Sequence, residues 1–255
     1  DLAHIKNTET KARVAIIFDW DNLRGLDEQK SLRNVNRDFE QVIMEHYEAV
    51  IQNYVSVDVI AQTADFSRYK VIIAPMLYMF LPGTADKIRI FIKNGGTFII
   101  TFYSGMVNEN DLAFECFPPF ALNDVFGIKA EETDSLEDSD ENSFNWEGKT
   151  YKVKRYCDLV QLYGAEVMAV YEQDFYAGLP VLTKNEYGSG MAYYMAARSD
   201  VDFLRDFYAR VLCDTEISQI VKSEYVKDVM VKERCDKEKQ YVFLMNFSRD
   251  SREIC

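Results

Sequence analysis

Two groups of polar side chains stand where strands are expected to end. Asp19, Trp20 and Asp21 follow the run Val14-Ala15-Ile16-Ile17-Phe18, and Ser104, Asn108, Glu109 and Asp111 follow Thr97-Phe98-Ile99-Ile100-Thr101-Phe102. In a doubly wound sheet, ligands sit at the carboxyl ends of strands, so the two groups are expected to converge on one polar cleft. Their types suit sugar recognition, because carboxylates accept hydroxyl hydrogen bonds and an indole offers an apolar face to a sugar ring. The competing expectation, which the sequence favours, is that these residues cap helices and support loops. Phosphate chemistry is not indicated, since no GxGxxG or Walker pattern follows the first run.

Metal and disulfide chemistry are not indicated either. The five cysteines, Cys116, Cys157, Cys213, Cys235 and Cys255, are dispersed and form no CxxC pair. Only His4 and His46 are available as imidazole ligands or bases. We expect no metal, no cofactor and reduced thiols, as in a cytoplasmic protein. The acidic stretch Glu131, Glu132, Asp134, Glu137, Asp138, Asp140 and Glu141 lacks the glycine of an EF-hand loop, so it reads as a solvated loop.

Composition narrows the partners. A net charge of −13 over 255 residues repels phosphate backbones and anionic membrane surfaces, so no nucleic acid and no membrane partner is expected. No window approaches the ~18 apolar residues of a membrane span. The start has no basic region followed by an apolar one, so no signal peptide is expected, and it lacks an initiator Met, which fits a chain cut from something longer. Hydrophobic residues at 48%, with 16 Tyr and 17 Phe, are enough to build an aromatic core. Phe114, Phe117, Phe120 and Phe126, around Pro118-Pro119, fit either that core or a subunit interface.

The elements that must hold the polar groups are legible as periodicity. Residues 12–18 are a short apolar run of the kind buried on both faces of a sheet, and 57–60, 70–75 and 97–102 also read as strands. Phe39, Val42, Ile43, Tyr47, Val50, Ile51 and Tyr54 fall at helical spacing. A second helix carries Ile88, Phe91 and Ile92, with Thr84 as its cap and Gly95-Gly96 as its stop. One more short helix fits within residues 23–33. The order strand, helix, strand, strand, helix, strand predicts a parallel sheet with helices on both faces. After residue 128 the pattern becomes hairpin-rich, with a turn at Tyr187-Gly188-Ser189-Gly190. Ser199 with Asp202 predicts a capped helix carrying Phe203, Leu204, Phe207, Val211 and Leu212. From about residue 216, Val226, Val229, Val231 and Tyr241-Val242-Phe243-Leu244-Met245-Asn246-Phe247 predict a small, incomplete β unit.

An ordered set of segments now becomes recognisable. Val14-Ala-Ile-Ile-Phe-Asp-Trp-Asp-Asn, Tyr69-Lys-Val-Ile-Ile-Ala-Pro-Met-Leu-Tyr and Gly95-Gly-Thr-Phe-Ile-Ile-Thr-Phe-Tyr-Ser-Gly-Met-Val-Asn-Glu-Asn-Asp resemble the middle domain of glycoside hydrolase family 42 β-galactosidases. So do Gly164-Ala-Glu-Val-Met-Ala-Val-Tyr, Phe175-Tyr-Ala-Gly-Leu-Pro-Val and Tyr187-Gly-Ser-Gly-Met-Ala-Tyr-Tyr, while Tyr241-Val-Phe-Leu-Met-Asn-Phe-Ser resembles that family's C-terminal β-domain. Each segment is weakly specific; their order over residues 12–250 is the strong signal.

The resemblance implies an α/β fold that is flavodoxin-like, as in class I glutamine amidotransferases, over residues 1–215, and part of an all-β domain over 216–255. It implies a homo-oligomer, a trimer, whose parent chain hydrolyses terminal β-galactosides with retention. The two catalytic glutamates then belong to an N-terminal (β/α)8 barrel. Such a barrel needs about 200 or more residues, so neither glutamate maps onto this chain, and the chain alone is expected to be inactive. The family's structural zinc lies near the barrel, and its cysteines are not seen here.

Two alternatives remain from the residues. One is an independent carbohydrate-binding module using the cleft of Asp19, Trp20, Asp21, Ser104, Asn108, Glu109 and Asp111. The other is a degenerate amidotransferase-like hydrolase. Such enzymes place a Cys on a sharp turn after a strand, served by a His. The matching turn, Thr101-Phe102-Tyr103-Ser104-Gly105-Met106, has Ser104 instead, does not meet G-x-S-x-G, and has no histidine near it in sequence.

Overall fold

The structure is a computed structural model that describes residues 5–29, 37–137 and 139–254. Expectations resting on His4, Asp138 and Cys255, and on the last residues of the 23–33 segment, lie outside these.

The first half follows the periodicity. Strand β1 (Val14–Ile17) leads into helices α1 (Trp20–Glu28) and α2 (Phe39–Ile51), then strands β2 (Val57–Ile60) and β3 (Val71–Ala74). Helix α3 (Thr84–Lys93) leads to strand β4 (Thr97–Thr101). Strands β1, β3 and β4 are buried along their whole lengths, which is why they read as continuous apolar runs. Helix α2 turns Phe39, Val42, Ile43, His46, Ala49 and Val50 inward at three- and four-residue steps.

The second half contains α4 (Asn123–Phe126), β5 (Ile128–Ser135), β6 (Asn142–Trp146), β7 (Lys149–Leu162), β8 (Glu166–Val170) and β9 (Pro180–Tyr187). It continues with β10 (Gly190–Met195), β11 (Ala197–Ser199), α5 (Val201–Asp214), β12 (Val229–Cys235) and β13 (Gln240–Asn246). Among the described residues the main sheet runs β2-β1-β3-β4-β10-β9-β8. Its first five positions are parallel; β9 and β8 extend it antiparallel. A second sheet orders β11-β7-β5 with β6 on β7, and β12 pairs with β13 while its Cys235 bridges to Glu9.

The crossovers from β1 to β2 and from β3 to β4 travel in opposite directions across the sheet. Right-handedness therefore puts α2 and α3 on opposite faces. Helix α5 packs on α2, and α3 packs on β4 and β10. The result is a mixed α/β fold around one aromatic and aliphatic core.

Several local expectations need correction. The hairpin-rich stretch is not all an extension: β10 lies parallel beside β4, with Met191 to Met195 opposite Thr97 to Thr101, so it completes the central sheet. Part of the acidic stretch is strand, since Glu131, Glu132 and Asp134 belong to β5. Thr84 does not cap α3; Gly83 takes that position, and the Thr84 hydroxyl donates to Gln62 Oε1 at 2.7 Å. Ser199 does not cap α5. Asp200 does, accepting from Phe203 N at 3.0 Å, while Ser199 is buried in β11 and Asp202 pairs with Arg205.

Candidate functional site at the carboxyl end of the sheet

Most hydrogen bonds of the two predicted groups hold backbone. Asp19 is buried and caps α1, accepting from Asp21 N at 3.1 Å and Asn22 N at 3.4 Å. Trp20 is 64% exposed and packs edge-on against Phe18. Asp21 forms a 3.7 Å ion pair with Arg24, both exposed. Ser104 is fully buried, and its Oγ accepts from Leu77 N at 3.1 Å. Asn108 Oδ1 accepts from Asn110 N and Leu112 N, closing its own turn. Glu109 is exposed, accepting a long 3.5 Å bond from Asn110, and Asp111 accepts from the Tyr78 hydroxyl at 2.7 Å.

Ser104 and Asp111 reach the segment after β3, residues 75–81. Met76, Leu77, Tyr78, Met79 and Phe80 are all buried, so their peptide groups have little access to water and need partners. Asn22 supplies two bonds: its Nδ2 donates to Met76 O at 3.0 Å and its Oδ1 accepts from Met79 N at 2.9 Å. Thr101 Oγ1 accepts from Met76 N, and Ser104 Oγ from Leu77 N. Gln62 donates to Met79 O and accepts from Leu81 N. Asn22, Gln62 and Thr101 were missed as functional residues. Asn22 and Thr101 sat inside recognisable runs, yet a polar residue after a strand looks the same whether it faces a cleft or a buried loop.

Ser104 sits on a sharp turn. Tyr103 and Gly105 both have positive φ, 62° and 65°, and a Cβ on Gly105 would meet Phe120 N at 2.9 Å. A left-handed Tyr is strained and needs support from its surroundings. Arg37 stacks on its ring at 4.7 Å, Tyr78 stacks 6.1 Å away, and its N–H donates to Asp158 Oδ2. The turn is elbow-like, but the Ser104 oxygen faces Leu77 N. His46 is engaged elsewhere: its Nδ1 shares a 2.5 Å hydrogen bond with the Tyr208 hydroxyl. Burial, with help from nearby Arg198, pulls its pKa down to about 3, so it is neutral at pH 7.

A second feature was not anticipated. Asp158 on β7 is 2% exposed and joins the two sheets. It accepts from Tyr194 on β10 at 2.5 Å, from Thr133 on β5 at 2.6 Å and from Tyr103 N at 3.2 Å. Burial outweighs these bonds and raises its pKa to about 6. It borders a cleft of about 270 Å³ with Tyr103, Ser104, Glu132 and Thr133. No sequence signal marked it, because one Asp within a 14-residue strand has no pattern.

Nearby, Arg198 on β11 makes a two-pronged ion pair with Glu45 on α2, at 2.8 and 3.1 Å, and reaches Asp38, which Arg155 also contacts. The aromatic group divides by burial. Phe126 is core, Phe114 and Phe120 stack face to face, and Phe117 is 49% exposed. Among the described residues, no group of three or more His, Cys, Asp or Glu could hold a metal ion, and no helix is long and apolar enough to cross a membrane.

Comparison with known proteins matches this architecture. The family described as the β-galactosidase trimerisation domain covers residues 12–218. β-Galactosidase Pbg of Clostridium perfringens is 38% identical over 261 residues, covering 99% of this chain and 38% of its own length. The β-galactosidase structure from Rahnella sp. R3 superposes with a TM-score of 0.94 at 38% identity, covering 98% of this chain and 38% of that one. A family 42 β-galactosidase of G. stearothermophilus gives 0.90 at 38% identity, over 94% of this chain and 35% of its own. The chain thus spans about 38% of the length of the curated relatives it matches. On that match in sequence and fold, the chain belongs to the trimerisation-domain family of glycoside hydrolase family 42 β-galactosidases.

Proposed function

We propose that this region assembles subunits of a β-galactosidase into a trimer and contributes no catalytic group of its own. The observation that carries this is the trimerisation-domain match over residues 12–218. The hydrogen bonding supports it: Asp19, Ser104 and Asn108 serve backbone, and Asp111 serves Tyr78. In this reading the seven sequence-predicted residues form a scaffold at the carboxyl end of the sheet. The hydrolysis of terminal β-galactosides, with retention, is assigned to a (β/α)8 barrel N-terminal to this region in the same parent chain, in the cytoplasm.

The fold reading is flavodoxin-like and doubly wound, of the class I glutamine amidotransferase type. The order β2-β1-β3-β4-β10 supports it, being the 2-1-3-4-5 order of that class. Residues 1–215 form the assembly domain and 216–255 the start of a C-terminal β-domain; the two-stranded pairing of β12 with β13, outside the two larger sheets, supports that boundary.

A chromogenic β-galactoside assay on the purified chain tests the non-catalytic role, and no turnover is expected. Turnover that follows the chain and is lost in Ser104→Ala would favour the hydrolase alternative. Saturable galactose binding by calorimetry would favour a carbohydrate-binding module.

A further inference from the structure

Phe175 is 75% exposed, yet it is not on a loose segment. It sits in the turn between β8 and β9, where Asp174 has a φ of 71° and its Oδ1 accepts from Phe175 N at 2.6 Å. Beneath it, Tyr176 packs edge-on at 4.9 Å and in turn meets Tyr171 at 5.0 Å; both tyrosines are buried. The turn is tied to β6 from two sides. Asn142 donates to Gln173 O and accepts from Gln173 N, while Ser143 donates to Glu172 and its carbonyl accepts from Glu172 N. A rigid, solvent-facing aromatic gains little for its own fold. It has the character of an interface anchor, because its ordering entropy is already spent.

At the other end of the sheet lies a groove of about 620 Å³ that opens before β3 and β4. Phe66, Phe91 and the 57% exposed Ile90 form its apolar lining. Lys70 and Lys87 stand in it, their ammonium groups donating to backbone carbonyls. Asp65 at its rim is engaged by the Ser67 hydroxyl and N–H. The Phe175 turn carries Glu172 and Asp174, so its charge is opposite to that of the two lysines. The turn lies at the carboxyl end of the sheet, because Pro180 begins β9 close to where Leu182 pairs with Met195. The groove lies at the amino end.

Three identical copies in a ring must meet head to tail, through two different patches on each copy. We infer that Phe175 of one copy inserts into the Phe66, Ile90 and Phe91 groove of the next, with Glu172 and Asp174 facing Lys70 and Lys87. This rests on the trimeric assembly proposed above and names its joint.

The test uses Phe175→Ala and Ile90→Glu, both at exposed positions that leave the core intact, with circular dichroism confirming the fold. Light scattering should give the unsubstituted 255-residue chain a mass three times 29.6 kDa and each variant the single-chain mass. Mixing the variants restores one joint, between the Phe175 of one and the groove of the other, so a two-chain species is expected. Trimeric variants, or a mixture that stays monomeric, would overturn the joint. Dissociation by Phe175→Ala alone would overturn the groove assignment. A monomeric unsubstituted chain would instead refute the assembly reading itself.

Discussion

A carboxyl group that is nearly fully buried and has a pKa of about 6 makes Asp158 a source of pH dependence. Its ordinary value is 3.8, so the folded chain holds the proton more tightly than the unfolded chain does. This single group therefore makes stability fall as pH rises from about 4 to about 6, with no further change above that. The linkage amounts to about 3 kcal/mol. Asp158→Asn removes it, because an amide does not ionise. Chemical denaturation at a series of pH values should show the variant gaining stability relative to the parent chain between pH 4 and 7. A difference that stays constant with pH would contradict this account of Asp158. At the same scale, Asn22 holds both Met76 O and Met79 N in a fully buried position. Asn22→Ala leaves Met79 N without its partner and Met76 O with the Tyr78 N–H alone, and should cost about 2 kcal/mol in urea unfolding. A loss below about 1 kcal/mol would mean that water or a shifted loop replaces the amide.

At the scale of elements, the closest packing lies where β10 meets the end of α3. A Cβ on Gly190 would stand 2.1 Å from Ile92 O and 2.3 Å from Gly96 O, both backbone atoms. Gly190→Ala must separate β10 from α3 and β4, and should lower stability by about 3 kcal/mol or more. A thermal midpoint unchanged from the parent chain would refute this placement of β10. The elements β1, β3 and β4 were legible because each is short and buried, and α2 and α3 because each is periodic, while β2 was legible as a β-branched run although it lies half exposed at the sheet edge. The place of β10 was not: Met191-Ala192-Tyr193-Tyr194-Met195 is equally apolar in a peripheral hairpin and beside β4, and only the distant pairing decides. The caps of α3 and α5 were misplaced by one residue, because Gly83 beside Thr84, and Asp200 beside Ser199, are each acceptable caps. For the candidate site, the polar residues at the strand ends were legible but their direction was not. Ser104 turned toward Leu77 N and Asp19 toward the start of α1, and side-chain direction depends on the loop that each meets.

At the scale of the whole molecule, the described residues form one buried core and leave Phe175 in solvent. The buried bonds among Asp158, Tyr194 and Thr133 join the two sheets, and the pairs of Arg198 with Glu45 and Asp38 join the second sheet to α2. A body tied together in this way can present fixed patches to neighbouring copies, which suits an assembly element. The most direct test of that claim is the solution mass of the purified chain by light scattering. The account predicts three copies per particle, held across a range of dilutions. A mass of one chain at every concentration would contradict it.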